Sequence, residues 1–245
     1  MMKCVKDFGG SGKTIVLLHG FLLSSSYWSK LVPLLLKDGY RVVTIDLLGF
    51  GKASKPKNIK YDYQNHINHI NSIINKLGIN DPFILVGHSM GGLIASRYSI
   101  TYPERIVSLV LLNSPICKNA VETKKALRGD GVIGRSVIYS RFRNLIWPIV
   151  RILSLNKFGL HTKKSRDGSL SLIIEKTKII DELSKTEIPT LLLLGSKDRK
   201  IYIENIKSSK LSSAVTVSIK KVSHNPARKN IGLTHKLIDN FLKNK

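Results

Sequence analysis

The sequence predicts an α/β fold: a mostly parallel sheet flanked by helices, with a helical cap inserted into it. Three observations carry this reading. Apolar runs of strand length alternate with segments whose apolar residues recur every three or four positions, the pattern of strands joined by crossover helices. The alternation stops between about 115 and 187 and then resumes, and that stretch is too long for a plain loop in a compact domain. A chain of 245 residues suffices for one sizeable core, so a single domain with an insertion is the natural arrangement.

Taken in order, Thr14–Leu18 reads as a buried strand that ends at His19-Gly20. Residues 26–37 read as a helix, with Trp28, Leu31, Val32, Leu35 and Leu36 at helical spacing. The next strand is 40–45, followed by a loop over 46–51. Residues 65–77 place Ile67, Ile70, Ile73, Ile74 and Leu77 on one helical face, and Gly78 stops that helix. A short strand over 83–86, a helix over 91–100 and a strand over Ile106–Leu112 follow. The insertion, 115–187, holds an amphipathic, basic and aromatic segment over 132–155 and a second helical pattern over 169–183. Strands over 190–194 and 215–219 and a closing helix over about 233–242 complete the chain. The expected division is therefore a core of 1–114 and 188–245, with the cap between them.

Residues 1–13 contain no apolar run resembling a secretion signal, and none anywhere approaches the ~20 residues of a membrane helix. Cys4 and Cys117 do not make a disulfide framework. A reduced, cytoplasmic setting is the expectation. The net charge of +24 has two readings: a surface written habitually in lysine, or a chain that meets nucleic acid, anionic lipid or an acidic substrate. The lysines are scattered along the whole chain. That favours the first reading, with no specific nucleic-acid partner and only weak association with anionic surfaces.

The chemistry is concentrated where the 83–86 strand meets the 91–100 helix, in Gly87-His88-Ser89-Met90-Gly91. A serine between glycines at this junction is a nucleophile elbow. The turn is so tight that side chains two residues either side would collide with neighbouring backbone, so hydrogen is favoured there. The following helix offers unpaired N–H groups and a positive dipole end where an oxyanion would form. A serine hydroxyl needs a base, and the base an orienting acid. Asp198 follows the 190–194 strand, and His224 follows the strand region ending at Val222. Parallel strands bring their C-terminal ends to one edge, so Ser89, Asp198 and His224 are expected to converge as a triad. The earlier strand ends in Leu112-Asn113-Ser114, which offers no carboxylate. Met90 and Phe21 are the expected backbone donors of an oxyanion hole.

At His19-Gly20-Phe21, at 46–51 (Asp-Leu-Leu-Gly-Phe-Gly) and at 87–92 (Gly-His-Ser-Met-Gly-Gly) the sequence resembles the α/β-hydrolase superfamily, closest to its small esterase and carbon–carbon hydrolase branches. The resemblance spans nearly everything but the cap. It implies an α/β-hydrolase fold, the same triad and oxyanion donors, and neither metal nor organic cofactor. Two departures stand out: Arg199-Lys200 after the acid, and Pro226-Ala-Arg-Lys229 after the histidine. The expected activity is hydrolysis of a small-molecule carboxylic ester or related acyl bond through an acyl-enzyme on Ser89. The alternatives are carbon–carbon bond hydrolysis or perhydrolysis and, from another class, a hydrolase fold used without turnover to bind a ligand or an anionic surface.

Several weaker signals receive plainer readings. Gly10-Ser-Gly-Lys-Thr14 looks like the end of a P-loop but precedes a strand and lacks the first glycine, so it is expected to be a turn. His66 and His69 have metal-ligand spacing without a third ligand, and are expected on a solvated helix face. His88 is expected to pack beneath the elbow, and Cys117 to be a buried structural thiol. Within the basic-aromatic segment 135–151, Phe142 and Trp147 are expected to contact substrate, with the arginines in water.

Overall fold

A computed structural model of the chain describes residues 2–128, 159–175 and 177–244. Its centre is a seven-stranded sheet: β1 (Val5–Asp7), β2 (Thr14–Leu18), β3 (Arg41–Ile45), β4 (Phe83–His88), β5 (Ile106–Leu112), β6 (Thr190–Gly195) and β7 (Val215–Lys220). The order is β1-β3-β2-β4-β5-β6-β7, with β1 antiparallel to β3 and every other pair parallel.

The two-residue alternation of each strand divides the interior into two cores. Val16, Leu18, Val43, Ile45, Leu85, Leu109 and Leu111 face one side, where they meet α2 (Tyr63–Lys76) and α3 (Met90–Thr101). Ile15, Leu17, Val42, Ile84, Val86, Val110 and Leu112 face the other. There they meet α1 (Val32–Lys37) and the terminal helix Ile231–Lys243. Burial on both faces explains why the central strands are unbroken apolar runs.

Several elements differ from expectation. The single helix over 26–37 is a 3-10 turn, Ser25–Trp28, followed by α1. Pro33 lies in the first turn of α1, where its missing N–H costs nothing, whereas inside a continuous helix it would break a hydrogen bond. Strand β1 has no periodic signal in three residues and is fixed by its register with β3 and by the Asp7–Arg41 ion pair at 2.6 Å. α2 starts two residues early because the Asp62 side chain caps it, accepting from Asn65 N–H at 3.0 Å.

In the insertion, the described helices are α4 (Ala120–Arg128), α5 (Lys163–Glu175) and α6 (Ile179–Lys185). The pattern over 169–183 is therefore two helices, not one. α6 lies on the elbow helix: its buried Glu182 accepts from Ser96 Oγ at 2.6 Å and pairs with Arg97, whose guanidinium stacks on the Tyr63 ring 4.7 Å away. Residues 132–155, with Phe142 and Trp147, lie outside the described residues. The glycines of 10–14 form the expected turn. A Cβ on Gly10 would stand 2.2 Å from the Tyr40 carbonyl oxygen, so this segment is pressed against backbone rather than open to a phosphate. Among the described residues no helix is long and apolar enough to cross a membrane.

Candidate active site

Ser89 stands between β4 and α3 with φ +52° and ψ −119°, a conformation that L side chains rarely adopt. Its neighbours make that backbone course possible. A Cβ on Gly91 would lie 2.4 Å from the carbonyl oxygens of Leu18 and His19, and one on Gly87 would lie 2.5 Å from that of Gly91. The N–H of Ser89 is tied to the Leu112 carbonyl at 2.9 Å, so the elbow is anchored to β5.

The structure brings Ser89, His224 and Asp198 together. His224 Nε2 is 3.1 Å from Ser89 Oγ, and His224 Nδ1 is 2.7 Å from Asp198 Oδ2. A carboxylate can only accept, so Nδ1 carries the proton and a neutral His224 presents the Nε2 lone pair to the serine hydroxyl. Asp198 is almost wholly buried and follows β6 in a turn closed by its own N–H on Gly195 O at 3.0 Å. Its second oxygen is occupied: Arg199 Nη1 lies 2.8 Å from Oδ1, and Arg199 Nε donates to the Ala126 carbonyl at 2.7 Å. The arginine marked as a departure in the sequence thus links the acid to the C-terminal turn of α4, where a cation suits the helix dipole.

A cavity of about 200 Å³ opens over Ser89 and His224, walled by Phe21, Leu23, Leu127, Leu170 and Ile173. A larger hollow of about 810 Å³ lies between residues 58–62 and α5 and contains none of them. Size is a poor guide here, because the hydrogen-bonded serine and histidine face the smaller cavity. Met90 opens α3, so its N–H has no acceptor within the helix. Among the described residues neither that amide nor the amide of Phe21 is bonded to a protein acceptor. Both are therefore available to a developing oxyanion.

The loop after β2 is held by two buried groups. Leu47 N–H donates to His19 Nε2 at 3.0 Å, which leaves Nδ1–H to donate to Gly20 O at 2.8 Å. Burial drops the His19 pKa to about 4, so this ring stays neutral. The Asp46 carboxylate accepts from the N–H groups of Ser25 and Lys52 at 2.6 and 2.8 Å, closing the loop over 46–51.

The remaining candidates fall elsewhere. His66 is not on a solvated face: it is fully buried, and burial pushes its pKa down to about 3. Helix periodicity could not show this, because it is read from apolar residues and His66 is not one. His69 donates from Nε2 to the Asp46 carbonyl at 3.0 Å. Among the described residues no cluster of three or more His, Cys, Asp or Glu is placed to hold a metal ion. Cys117 is buried with its thiol pushed up to about 11, and it does not line the Ser89 cavity. His235 pairs with Asp38 at 2.6 Å, and His161 bridges to Phe50.

Two contributors were not legible in sequence as parts of a site. His88 packs as expected, stacked on Tyr27 at 4.3 Å, but its Nε2 also donates to the His224 carbonyl at 2.8 Å. Asn113, noted only for lacking a carboxylate, reaches both loops that carry Asp198 and His224. Their only sequence signal is position at the C-terminal ends of β4 and β5.

A family model described as alpha/beta hydrolase fold matches residues 13–131. The chain is 27% identical over 220 residues to a 2-hydroxy-6-oxo-6-(2'-aminophenyl)hexa-2,4-dienoic acid hydrolase of Metapseudomonas resinovorans, covering 80% of this chain and 71% of that protein. It is 26% identical over 238 residues to Lipase 3 of Moraxella sp. (strain TA144), covering 88% of this chain and 73% of that one. Among solved structures it matches a bromoperoxidase from Bacillus anthracis with a TM-score of 0.75 at 25% identity, covering 98% of this chain and 94% of that chain.

Proposed function

The chain belongs to the α/β-hydrolase family, and from that premise we propose that it is a cofactor-independent serine hydrolase that cleaves a carboxylic ester or related acyl bond. The observation that carries this reading is the continuous hydrogen-bonded line Ser89–His224–Asp198, at 3.1 and 2.7 Å, opening into an apolar cavity. In this mechanism Ser89 Oγ attacks the carbonyl carbon while His224 Nε2 takes its proton. Asp198 holds the imidazole in the required tautomer and stabilises the imidazolium. The N–H groups of Phe21 and Met90 bind the oxyanion. His224 then returns the proton to the departing alcohol, and water releases the acyl group by the same steps.

The insertion 115–187 is proposed as the cap that shapes the substrate pocket. Leu127 of α4 and Leu170 and Ile173 of α5 supply cavity wall, and Phe142 and Trp147 are proposed to complete it. The substrate is a small-molecule ester or related acyl compound in keeping with that mainly apolar wall, and the proposed setting is the cytoplasm. Both cysteines are free thiols, in keeping with a reducing compartment.

The test is turnover of p-nitrophenyl esters of graded chain length by the parent and by Ser89→Ala. The substitution should abolish turnover, a loss on the order of 10⁶ in kcat, because triad members act as a unit. Retention of a tenth of the parent activity would remove Ser89 as nucleophile. The Metapseudomonas relative favours a second reading, hydrolysis of a carbon–carbon bond in a dienoic acid. Turnover of such a compound with none of any ester would establish it instead.

A further inference from the structure

We propose that Asn113 is a positioning residue that fixes the base His224 against the acid loop by clamping both loops from beneath. The proposal rests on the hydrolase reading of Ser89, His224 and Asp198. Asn113 is fully buried at the end of β5. Its Nδ2 donates to the Ser223 carbonyl at 2.7 Å, and its Oδ1 accepts from Gly195 N–H at 2.7 Å. One planar amide therefore joins the residue before His224 to the strand end that launches Asp198.

The chemistry of that place selects an amide. A carboxylate would set one oxygen against the Ser223 carbonyl oxygen, and an apolar side chain would leave a buried N–H and a buried C=O unpaired. Asn113 also has φ +47°, a left-handed conformation that asparagine tolerates better than most side chains.

The need for a clamp follows from the position of β7. It is the sheet's edge strand, and its residues are half-buried or exposed, whereas β4 and β6 are buried throughout. Val222 and Ala227 are buried on either side of the His224 loop, but residues 223–225 between them are only half-buried. Consecutive carbonyls of that loop are held instead by buried side chains from adjacent strand ends: Ser223 O by Asn113, and His224 O by His88 Nε2–H at 2.8 Å. Catalysis through an imidazole that must reach a hydroxyl and a carboxylate at once tolerates little displacement.

Asn113→Gly keeps the backbone conformation and removes both side-chain bonds. Asn113→Asp keeps the acceptor for Gly195 and loses the donor to Ser223 unless it is protonated. Three readouts apply: thermal unfolding, kcat and KM on a short p-nitrophenyl ester, and the far-downfield proton NMR signal of His224 Nδ1–H. Asn113→Gly should unfold cooperatively, lose about 10²-fold in kcat with KM within about twofold, and shift or broaden the NMR signal. The activity of Asn113→Asp relative to the parent should rise as pH falls, because the protonated carboxyl restores the donor. A folded Asn113→Gly with kcat within about twofold of the parent and an unmoved His224 signal would overturn the proposal. If the glycine variant does not fold, a fully active Asn113→Asp at alkaline pH would do so. The NMR signal separates this inference from the function it rests on. If Ser89→Ala retains turnover while Asn113→Gly still moves the His224 signal, the assignment of Ser89 as nucleophile falls and the clamp stands.

Discussion

Ser89 occupies a backbone conformation that the surrounding glycines alone make affordable. Gly91 faces two carbonyl oxygens at 2.4 Å from where its Cβ would be, and both belong to backbone that cannot swing aside. Gly91→Ala should therefore destabilise the protein by about 3 kcal/mol, the upper end for overpacking. It should also lower turnover in whatever fraction remains folded, and urea denaturation with parallel ester assays checks both. Asp198 meets His224 Nδ1 on one oxygen and Arg199 on the other. Asp198→Asn should cost roughly 10⁴ in kcat by stabilising the wrong imidazole tautomer. If Asp181→Asn had the same effect and Asp198→Asn did not, the acid would be misassigned; Asp181 is exposed and pairs with Lys185 at 2.8 Å.

Among secondary-structure elements, the helices of 115–187, the proposed cap, are tied to the rest of the chain at points that differ in kind. α4 is held through Arg199 to the acid loop, and α6 is held through Glu182 to the elbow helix α3. Glu182 is nearly buried and accepts from both Ser96 and Arg97. Glu182→Ala should cost about 2–3 kcal/mol, the magnitude of hydrogen bonds to a buried charge, as read in a urea titration. Lost activity without lost stability would show instead that α6 acts on the site and not on the fold. For the proposed cap wall, Trp147→Ala or Phe142→Ala should shift the preferred ester chain length more than it lowers activity on the shortest ester. An unchanged profile in both variants would remove them from the pocket.

The whole molecule should be sensitive to mild acid. His19 and His66 titrate at about 4 and about 3, below the ordinary 6.5, because burial penalises the imidazolium. The unfolded chain takes up protons that the folded chain refuses. Stability is then complete above pH ~6.5 and is lost as pH falls through that window, at ~1.4 kcal/mol per pH unit for each histidine. Both ring nitrogens of His66 lack a partner among the described residues. His66→Leu should therefore flatten the loss of melting temperature between neutral and mildly acidic pH; equal slopes for variant and parent would contradict this. The charge of +24 acts at the same scale. Binding to anionic vesicles or DNA should be weak and should vanish as salt rises past physiological strength, where the screening length is ~8 Å. Co-sedimentation that persists at ~1 M salt would point to apolar insertion in the membrane surface instead.

The sheet's central strands, the elbow and the order in which Ser89, Asp198 and His224 arrive at its edge were legible in the amino-acid sequence. Each of these is written locally. The central strands are continuous apolar runs, the elbow is a pattern of glycines around one serine, and Asp198 and His224 directly follow strand ends. Parallel topology then leaves little freedom over where they meet. The company kept by polar residues and short segments emerged on folding alone. His66 is buried although it is a polar residue on its helix, β1 is a strand because β3 supplies a partner, and Asn113 joins two loops that lie 82 and 110 residues further along the chain. Apolar periodicity says which face turns inward. It does not say which donor or acceptor waits there, and for a polar side chain that partner fixes the role.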